Sequence, residues 1–449
     1  MTRTSTAVRA VLVVAAFALL GSACSAAVPP PLVRRVVPAT AAVDPARPCS
    51  RPAPAVARTA RTARTVPAGL DVQYDSATKT ITLHHGEAVT LPELSAAVKR
   101  PEALREVAPG EWLLGANVQV LPGASLQIAA PAVHWLKLTS DPAGFVSVRA
   151  LGGGLNISGT CVTSWDVTQN RVDTDDADGR SFLLARDGSQ MTIDHAELRY
   201  LGYSDVESYG LSWRLPGTGG RITDSIVSNL YYGLYTFEIG GLVVQNNEFY
   251  DNELYAIDPH TKSHDLRIEG NSVHDNGKHG IILADDCTDS IIRDNVVYNN
   301  ADHGIVLYLN SDRNLVEGNE SFGNADQGIN INESSTDTIR DNRVYDNHGT
   351  GVGVSLGQDN VVEQNQVRGN QQDGLRLVSD AVRTTVRDNV VGENVRYGLY
   401  VDTEGGFTLS ENTIFENRTG IVLNVAAASP AGDNSVYDNR DVDIKNAPD

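Results

Sequence analysis

Short runs of alternating apolar and polar residues fill the second half of the chain, as in "DLRIEGN", "SIIRDN" and "TTVRDN". Alternation with a period of two predicts half-buried strands. Asn and Gly separate the runs, and both tolerate the left-handed backbone of tight corners. The only stretch with a helical period is "ELSAAVKRPEALREV", residues 93–107. The pattern therefore predicts an all-β chain of short strands.

The strands recur at a spacing of 23 or 24 residues. Two rows of asparagines keep this spacing: Asn247, Asn271, Asn295, Asn319, Asn342, Asn365, Asn389, Asn412 and Asn252, Asn276, Asn300, Asn324, Asn347, Asn370, Asn394, Asn417. A unit this short cannot bury an apolar face alone, so the units must stack. We predict a right-handed parallel β-helix of about a dozen coils of 22–24 residues. A leucine-rich horseshoe would need LxxLxL units and a propeller about 40 residues per blade.

One stretch, "YAIDPHTKSH" at residues 255–264, breaks the repeat. Ala256 replaces a glycine that recurs in the other coils, and Pro259 takes an inward position normally held by Leu or Ile. Proline costs a ladder hydrogen bond, so folding alone does not favour it there. Sites that break local rules are often functional. Asp258 and His260 should point outward on one face.

Three outward columns of residues should pass this stretch: Arg214, Phe237, His260, Ala284, Tyr308; Ser212, Tyr235, Asp258, Ile282, Val306; and Tyr232, Tyr255, His279, His303, Gln327. Lys262 and Lys278 flank them. The columns form a strip of Tyr, His, Asp and Arg side chains. Such a strip suits catalysis or binding, and it is also compatible with ordinary polar packing on an outer surface.

Charge divides the chain into two parts. The first 67 residues carry nine Arg and one acid, and subtracting this +8 from the total of −20 leaves −28 for the rest. A body this acidic excludes nucleic acid as a partner. An anionic substrate would depend on a few local cations.

The N-terminus predicts export. Basic residues precede an apolar run, and "LLGSAC" ends at Cys24 like a bacterial lipobox, with cleavage near Ala23 to Ala27 as the alternative. We expect a signal peptide over residues 1–24, a disordered Pro/Ala/Arg-rich tether over 25–67, and a β-helix over 68–449 with an N-terminal cap at about 68–125. The chain would be a cell-surface lipoprotein or a secreted protein, touching membrane only through a lipid on Cys24.

The other cysteines, Cys49, Cys161 and Cys287, are odd in number and form no CxxC motif, so the sequence indicates neither a zinc site nor a disulfide framework. The acidic loop "DTDDADG", residues 173–179, lacks the spacing of an EF-hand and is read as a solvated loop. No metal or cofactor is predicted.

From about Gly110 to Asn324 the sequence resembles the mannuronan C5-epimerases, most closely the periplasmic alginate epimerases. The resemblance rests on "TSWD" (163–166), "DGRSF" (178–182), "YLG" (200–202), "YYGLY" (231–235), "YAIDPHTKS" (255–263) and "KHGII" (278–282). It implies a right-handed parallel β-helix that removes and returns the C5 proton of a uronate in an anionic polysaccharide. We also expect the protein to be a monomer.

The resemblance also implies residue roles. His260 would be the base, Asp258 would orient it or hold the hydrogen-bond network of the sugar carboxyl group, and Tyr255 would serve as the acid or steady the sugar. The expected substrate-binding residues are Lys262, Lys278, His279, His303, Arg214, Tyr235 and Tyr308.

One departure from the family leaves the activity open. The family places an arginine, which neutralises the substrate carboxylate, where this chain has Asp285, and an acid there should repel a uronate. The motif also reads DPHT instead of DPHD. A polyuronate lyase acting by β-elimination and a non-catalytic polysaccharide-binding β-helix are therefore the alternatives to an epimerase.

Overall fold

Three sheets wind around one apolar core in the computed structural model, which describes residues 34–36, 44–45, 48–49, 69–404, 406–425 and 432–446. Each turn of the chain adds short strands that pair in parallel with the equivalent strands of the next turn. Within these described ranges, 14 strands stack in parallel in the third sheet. The predicted parallel β-helix is confirmed, with about 14 coils instead of about a dozen.

The strands of each sheet follow in chain order. Sheet 1 contains Asp71–Asp75, Thr80–Thr90, Asn117–Val120, Ser147–Leu151, Phe182–Arg186, Gly210–Arg214, Tyr232–Phe237, Ile257–His260, Ile281–Ala284, Ile305–Tyr308, Ile329–Asn332, Val352–Ser355, Leu375–Val378, Tyr397–Asp402, Thr419–Leu423 and Val442–Asn446. Sheet 2 shares Thr80–Thr90 and continues with Ala124–Ala129, Gly154–Ser158, Gln190–Asp194, Gly219–Thr223, Val243–Gln245, Arg267–Glu269, Ile291–Arg293, Leu315–Glu317, Thr338–Arg340, Val361–Glu363, Thr384–Arg387 and Phe407–Ser410. Sheet 3 contains Leu104–Ala108, Glu111–Leu114, Trp135–Asp141, Gly144–Phe145, Cys161–Asp166, Arg171–Val172, Glu197–Arg199, Ile226–Ser228, Glu248–Tyr250, Ser272–His274, Val296–Tyr298, Glu320–Phe322, Arg343–Tyr345, Gln366–Arg368, Val390–Gly392, Thr413–Phe415 and Ser435–Tyr437.

Both asparagine rows form buried ladders. Asn271 Nδ2 donates to Asn295 Oδ1 over 2.9 Å, and the backbone N–H of Asn271 reaches the same oxygen over 2.9 Å. In the second row, Asn276 Nδ2 donates to Asn300 Oδ1 over 2.9 Å. The ladders satisfy polar groups at corners where strand pairing stops. Together with inward side chains such as fully buried Ile281, they hold each coil in register.

The glycine that recurs from coil to coil, as at Gly280, is required because no space is left for a side chain. A Cβ on Gly280 would lie 2.5 Å from Val297 Cγ1 and 2.8 Å from the carbonyl oxygen of Gly304 in the next coil. The left-handed corners fall largely on Asp and Asn, with φ of 55° at Asp275 and 53° at Asn299. Glycines at equivalent corners also take this conformation, with φ of 66° at Gly270 and 64° at Gly323, as expected for Asn and Gly between the runs.

The first coil contains the single helix of the described residues, Leu91–Val98. Thr90 and Glu93 form a capping box at its start, and the helix ends at Lys99 in the left-handed conformation. The helical period predicted for residues 93–107 therefore holds only in its first part. Parallel pairing begins at Thr80–Thr90, inside the stretch expected to be a cap. No helix among the described residues is long and apolar enough to cross a membrane.

A disulfide joins Cys49 to Cys161 across 112 residues, with Cα atoms 5.7 Å apart. It corrects the expectation that no disulfide is formed, while Cys287 is free and buried. Arg34 Nε also donates to Asp346 Oδ2 over 2.7 Å. These contacts tie pieces of the expected tether to the β-helix. The expected signal peptide and lipobox lie outside the described residues.

Candidate active site

The irregular stretch forms the strand Ile257–His260 of sheet 1. Ile257 is fully buried. Pro259 is also buried and lacks an N–H, and the strand pairs with the next coil only at Ile257 and His260. The proline thus interrupts the ladder between the two outward residues, Asp258 and His260.

The three outward columns stack as the repeat predicts. His260 lies in register between Phe237 and Ala284, and Asp258 lies opposite Tyr235. In the third column, neighbouring rings have centroids 5.0–5.4 Å apart; its members are Tyr232, Tyr255, His279 and His303. The coils therefore bring the predicted Tyr, His and Asp side chains onto one face.

His260 is held by a short chain of hydrogen bonds. Its Nδ1 lies 2.7 Å from Thr261 Oγ1, and the Thr261 hydroxyl donates to Asp285 Oδ2 over 2.8 Å. The Tyr235 ring stacks on the imidazole at 5.8 Å. Burial lowers the pKa of His260, the Asp285 carboxylate opposes this shift, and the charge of Arg214 adds to it. The imidazole is therefore neutral near pH 7.

Asp258 is less accessible than its outward position suggests. Its residue is 2% exposed, and no side chain of the described chain hydrogen-bonds to its carboxyl group. Burial raises the pKa of Asp258 well above its usual value, and Lys278 opposes the shift only in part. Asp258 was predicted either to orient His260 or to hold the hydrogen-bond network of the sugar carboxyl group. Because it does not hydrogen-bond to His260, it does not orient that ring.

The hydroxyl group of Tyr255 is in contact with the ammonium group of Lys278. Lys278 Nζ donates to the Tyr255 oxygen over 3.0 Å and lies 5.1 Å from the ring centroid. This hydrogen bond raises the pKa of Lys278. The Lys278 ammonium group thus contacts the Tyr255 hydroxyl oxygen directly. Lys278 therefore belongs to the strip through Tyr255.

His279 and His303 extend the strip as neutral rings. The backbone N–H groups of His303 and Gln327 donate to the Nδ1 atoms of His279 and His303, over 3.3 and 3.1 Å. Burial lowers the pKa of His279 to about 4, against the opposing charge of Asp302. With Nδ1 accepting, each neutral ring carries its proton on Nε2 and can donate from there.

The same two rings and Asp302 offer ligand atoms within 4.8 Å of one another, as a metal site would. However, the rings of His279 and His303 are stacked 5.0 Å apart and only 8° from parallel. Imidazole lone pairs lie in the ring plane, so two parallel planes cannot direct them at one ion. We assign these groups to hydrogen bonding.

Arg214 lies two coils from His260 in the same column. Its guanidinium group packs 4.9 Å from the Tyr235 ring centroid and 5.0 Å from that of Phe237. The residue is 7% exposed, and Nη1 is buried without a hydrogen-bond partner in the part of the chain described. A buried, unpaired cation of this kind suits an anionic group of a bound polymer.

Two predicted binding residues lie apart from the strip centre. Lys262 is in the left-handed turn after the strand, with φ of 57°, and lines a groove of about 900 Å³ with His264 and a floor that includes Gly240 and Gly241. Tyr308 is 38% exposed at the far end of the His260 column.

One residue of the site, Tyr209, was not singled out by sequence. Tyr209 packs on the rings of Tyr232 and Tyr235 at 4.7 and 4.9 Å. It precedes Gly210 and so continues the third column, a signal the repeat already contained. Thr261 and Asp285 stood out in the sequence only as departures from the family motif, and their contact with His260 was not predicted.

Comparisons with known proteins agree with the fold. The family profile described as "Right handed beta helix region" matches residues 153–321 and 306–441. The chain is 33% identical over 194 residues to a mannuronan C5-epimerase of Pseudomonas syringae pv. tomato, covering 40% of this chain and 35% of that protein. It is 31% identical over 176 residues to the mannuronan C5-epimerase AlgG of Azotobacter vinelandii, covering 36% and 33%.

The crystal structure of the periplasmic alginate epimerase AlgG superposes with a TM-score of 0.67 at 23% identity, over 86% of this chain and 95% of that one. This likeness concerns the fold. The chain spans about a third of the length of the curated relatives it matches.

Proposed function

Because the chain belongs to the right-handed beta helix family, we propose that its outer strip makes it a polysaccharide epimerase that inverts C5 of uronate residues, converting mannuronate to guluronate. One observation carries the proposal. A neutral histidine held at Nδ1 and a buried, partnerless carboxyl group occupy the same strand, as His260 and Asp258. The similarity to mannuronan C5-epimerases over a third of their length supports the choice of reaction.

The reaction sets three chemical requirements. The C5 proton lies alpha to a carboxylate and is barely acidic, because its removal places further negative charge on an anion. The site must therefore stabilise the carboxylate as charge builds there. A base must take the proton from one face of the sugar, and an acid must return a proton to the other.

His260 fits the base. Its lowered pKa keeps the ring neutral near pH 7, and the contact at Nδ1 leaves Nε2 available to accept the C5 proton. Tyr255 fits the acid, because Lys278 already donates to its oxygen and would stabilise the phenolate left after proton transfer. After one turnover a proton must pass from His260 back to Tyr255 through solvent.

Asp258 fits the group that stabilises the substrate carboxylate. An ionised Asp258 would repel a uronate, whereas a protonated carboxyl group donates a hydrogen bond to it. Its raised pKa favours the protonated form. Because no other described side chain binds this carboxyl group, a sugar carboxylate would provide the partner it lacks.

The other cations and donors fit neighbouring sugars of the polymer. Arg214 lies two coils away, a distance of about 10 Å at the usual strand spacing, and its unpaired Nη1 suits the carboxylate of another uronate. His279 and His303 would donate from Nε2, while Tyr235 provides a ring face. We propose Lys262 and Tyr308 as outer contacts. We also propose that the protein acts as a monomer.

We propose that the protein acts outside the cytoplasm. Disulfides such as Cys49–Cys161 persist in oxidising compartments, and the similar solved structure is that of a periplasmic protein. A lipid on Cys24 would anchor it to a membrane surface. Mass spectrometry of the mature N-terminus tests this anchor: a diacylated Cys24 supports it, and an unmodified start near Ala26 contradicts it.

The activity test uses the full chain, because Arg34 and Cys49 contact the β-helix. Purified protein is incubated with polymannuronate, and the product is examined by proton NMR and ultraviolet absorbance. We expect guluronate signals without absorbing ends. Unsaturated, absorbing sugar ends would replace the proposal by the lyase, and an unchanged polymer that still binds would replace it by a non-catalytic binding protein.

A further inference from the structure

An acid occupies the position where related epimerases are expected to carry a substrate-binding arginine, and the structure gives this acid a different contact. The Asp285 carboxylate accepts the hydroxyl proton of Thr261 over 2.8 Å. The same hydroxyl oxygen lies 2.7 Å from His260 Nδ1. A hydroxyl group has one proton, and here it is directed to Asp285. The Thr261 oxygen must therefore accept from His260, which places the imidazole proton on Nδ1.

The fold itself does not require these two side chains. Thr261 and Asp285 follow equivalent strands of successive coils and take the left-handed corner, with φ of 33° and 64°. At the same corner other coils carry Leu309 and Leu356, with φ of 53° and 56°. A hydrogen-bonding side chain is thus unnecessary there.

The backbone of Thr261 strengthens this argument. A β-branched residue in the left-handed region is a true outlier, and strain of this kind concentrates at functional sites. At this corner the Thr261 hydroxyl group contacts both His260 and Asp285, which the Leu of other coils could not do.

We propose that Thr261 and Asp285 form a relay that positions His260, fixing its Nδ1–H tautomer so that Nε2 faces the substrate as the base. This rests on the proposed function. When the C5–H bond breaks, its electron pair passes to C5 and the adjacent carboxyl group, and its proton forms the Nε2–H bond of an imidazolium. Asp285, two hydrogen bonds behind, then stabilises the positive ring. Asp285 is a positioning residue and no substitute for the arginine.

The first test reads the tautomer and needs no substrate. The full chain is labelled with ¹⁵N-histidine, and the His260 signals are identified from their loss in His260→Gln. We expect Nδ1 protonated and Nε2 unprotonated in the neutral ring. Thr261→Val removes the hydroxyl at constant shape and should raise the Nε2–H population. Thr223→Val is the matched control, because it removes a 2.9 Å bond to Asp194 away from the strip.

An Nε2–H ring in the unmodified chain, or a tautomer unchanged in Thr261→Val, would overturn the relay even if the enzyme epimerises mannuronan. Conversely, a chain inactive on mannuronan with the expected tautomer would overturn only the proposed function. The relay and the proposed epimerase activity can therefore be disproved independently of each other.

The second test uses kinetics. Thr261→Val and Asp285→Ala should lower kcat by about 10–100-fold with KM changed less than about threefold, as for residues that orient another group. Asp285→Arg gives the sharpest result: the relay predicts a similar loss, whereas a missing carboxylate-binding cation predicts a gain. A gain in activity would overturn the proposal.

The pH profile separates a relay from simple packing. The groups that act on His260 are Asp285 in the next coil, Arg214 two coils before, and the stacked ring of Tyr235. Asp285 raises the pKa of His260 and the other influences remain in the variant. In Asp285→Asn the acid limb of kcat/KM should therefore move to lower pH. An unmoved limb would contradict the relay.

Discussion

The coils around His260 and the coils after residue 325 share one scaffold and differ on its outer face. Asn271 binds Asn295 over 2.9 Å near the strip, and Asn365 binds Asn389 over 3.0 Å in the later coils. The column of His260, however, continues into the later coils as Asn332, Ser355 and Val378.

This difference separates folding from function. The inner rows are the same in both regions because they hold the stack together. The outer residues can vary without cost to the core. Pro259, which faces inward, costs a ladder hydrogen bond, and Thr261 has an unfavourable left-handed backbone, so folding explains neither residue. We therefore assign activity to the strip and stability to the ladders, and four predictions test that division.

The largest expected effect is on the base. His260→Gln should reduce epimerisation by about 10³-fold or more, because general base catalysis is lost. The matched control is Asn332→Ala, three coils further along the same outward column, which should keep activity within about twofold. Initial rates and thermal unfolding are measured for both. Equal losses in the two variants would mean that the column acts only through packing.

Removing a ladder asparagine should lower the stability of the fold equally in both regions. Asn295→Ala removes bonds from Nδ2 to Ile268 O and Asn319 Oδ1, and Asn389→Ala removes the equivalent set. At roughly 1 kcal/mol per bond, with further loss from unsatisfied buried groups, each should lower the free energy of unfolding by about 3 kcal/mol. Denaturant unfolding checks this. A loss of stability in only one of the two variants would contradict the view that the ladders have the same role in both regions.

Asp258 should set an upper pH limit for activity. Its working form is protonated, and its pKa is raised by burial, so activity should fall as pH rises through that pKa. Asp258→Asn keeps an uncharged donor and should cost about tenfold in kcat/KM while removing this alkaline limb. The measurement is kcat/KM of both proteins across the pH range. Persistence of the same alkaline limb in the variant would assign it to another group.

The smallest effect concerns Asp337, an acid in an asparagine-like row of the later coils. Asn314 N–H donates to its Oδ1 over 2.8 Å, and its Oδ2 has no hydrogen-bond partner among the described residues. Burial raises its pKa from 3.8 to about 8. The folded state thus binds more protons between these values, and its stability falls as pH rises through that interval.

Asn cannot titrate, so Asp337→Asn should be more stable than the natural chain by roughly 1–3 kcal/mol at pH 8 and not more stable at pH 4. Activity should be unchanged because the row lies outside the strip. Unfolding at both pH values is the measurement. A pH-independent difference would show that the carboxyl group is not protonated in the fold.

The repeat made most of the fold predictable. Asparagine spacing alone anticipates the ladders, and alternation anticipates the register of the columns. Three features needed the structure. The Cys49–Cys161 bond spans 112 residues without a motif. The sequence pattern places Asp258 outward, whereas the structure leaves it only 2% exposed. The contact between Thr261 and Asp285 depends on a left-handed corner that sequence patterns do not reveal.

If His260 removes the C5 proton, epimerisation in deuterated water must place deuterium from the solvent at C5. Full-length protein and His260→Gln are incubated with polymannuronate in deuterated water, and C5 of each product is examined by NMR. We expect guluronate with deuterium at C5 from the natural chain and unreacted mannuronate from the variant. Guluronate that retains protium at C5, or deuterated guluronate formed equally by His260→Gln, would contradict this role of His260.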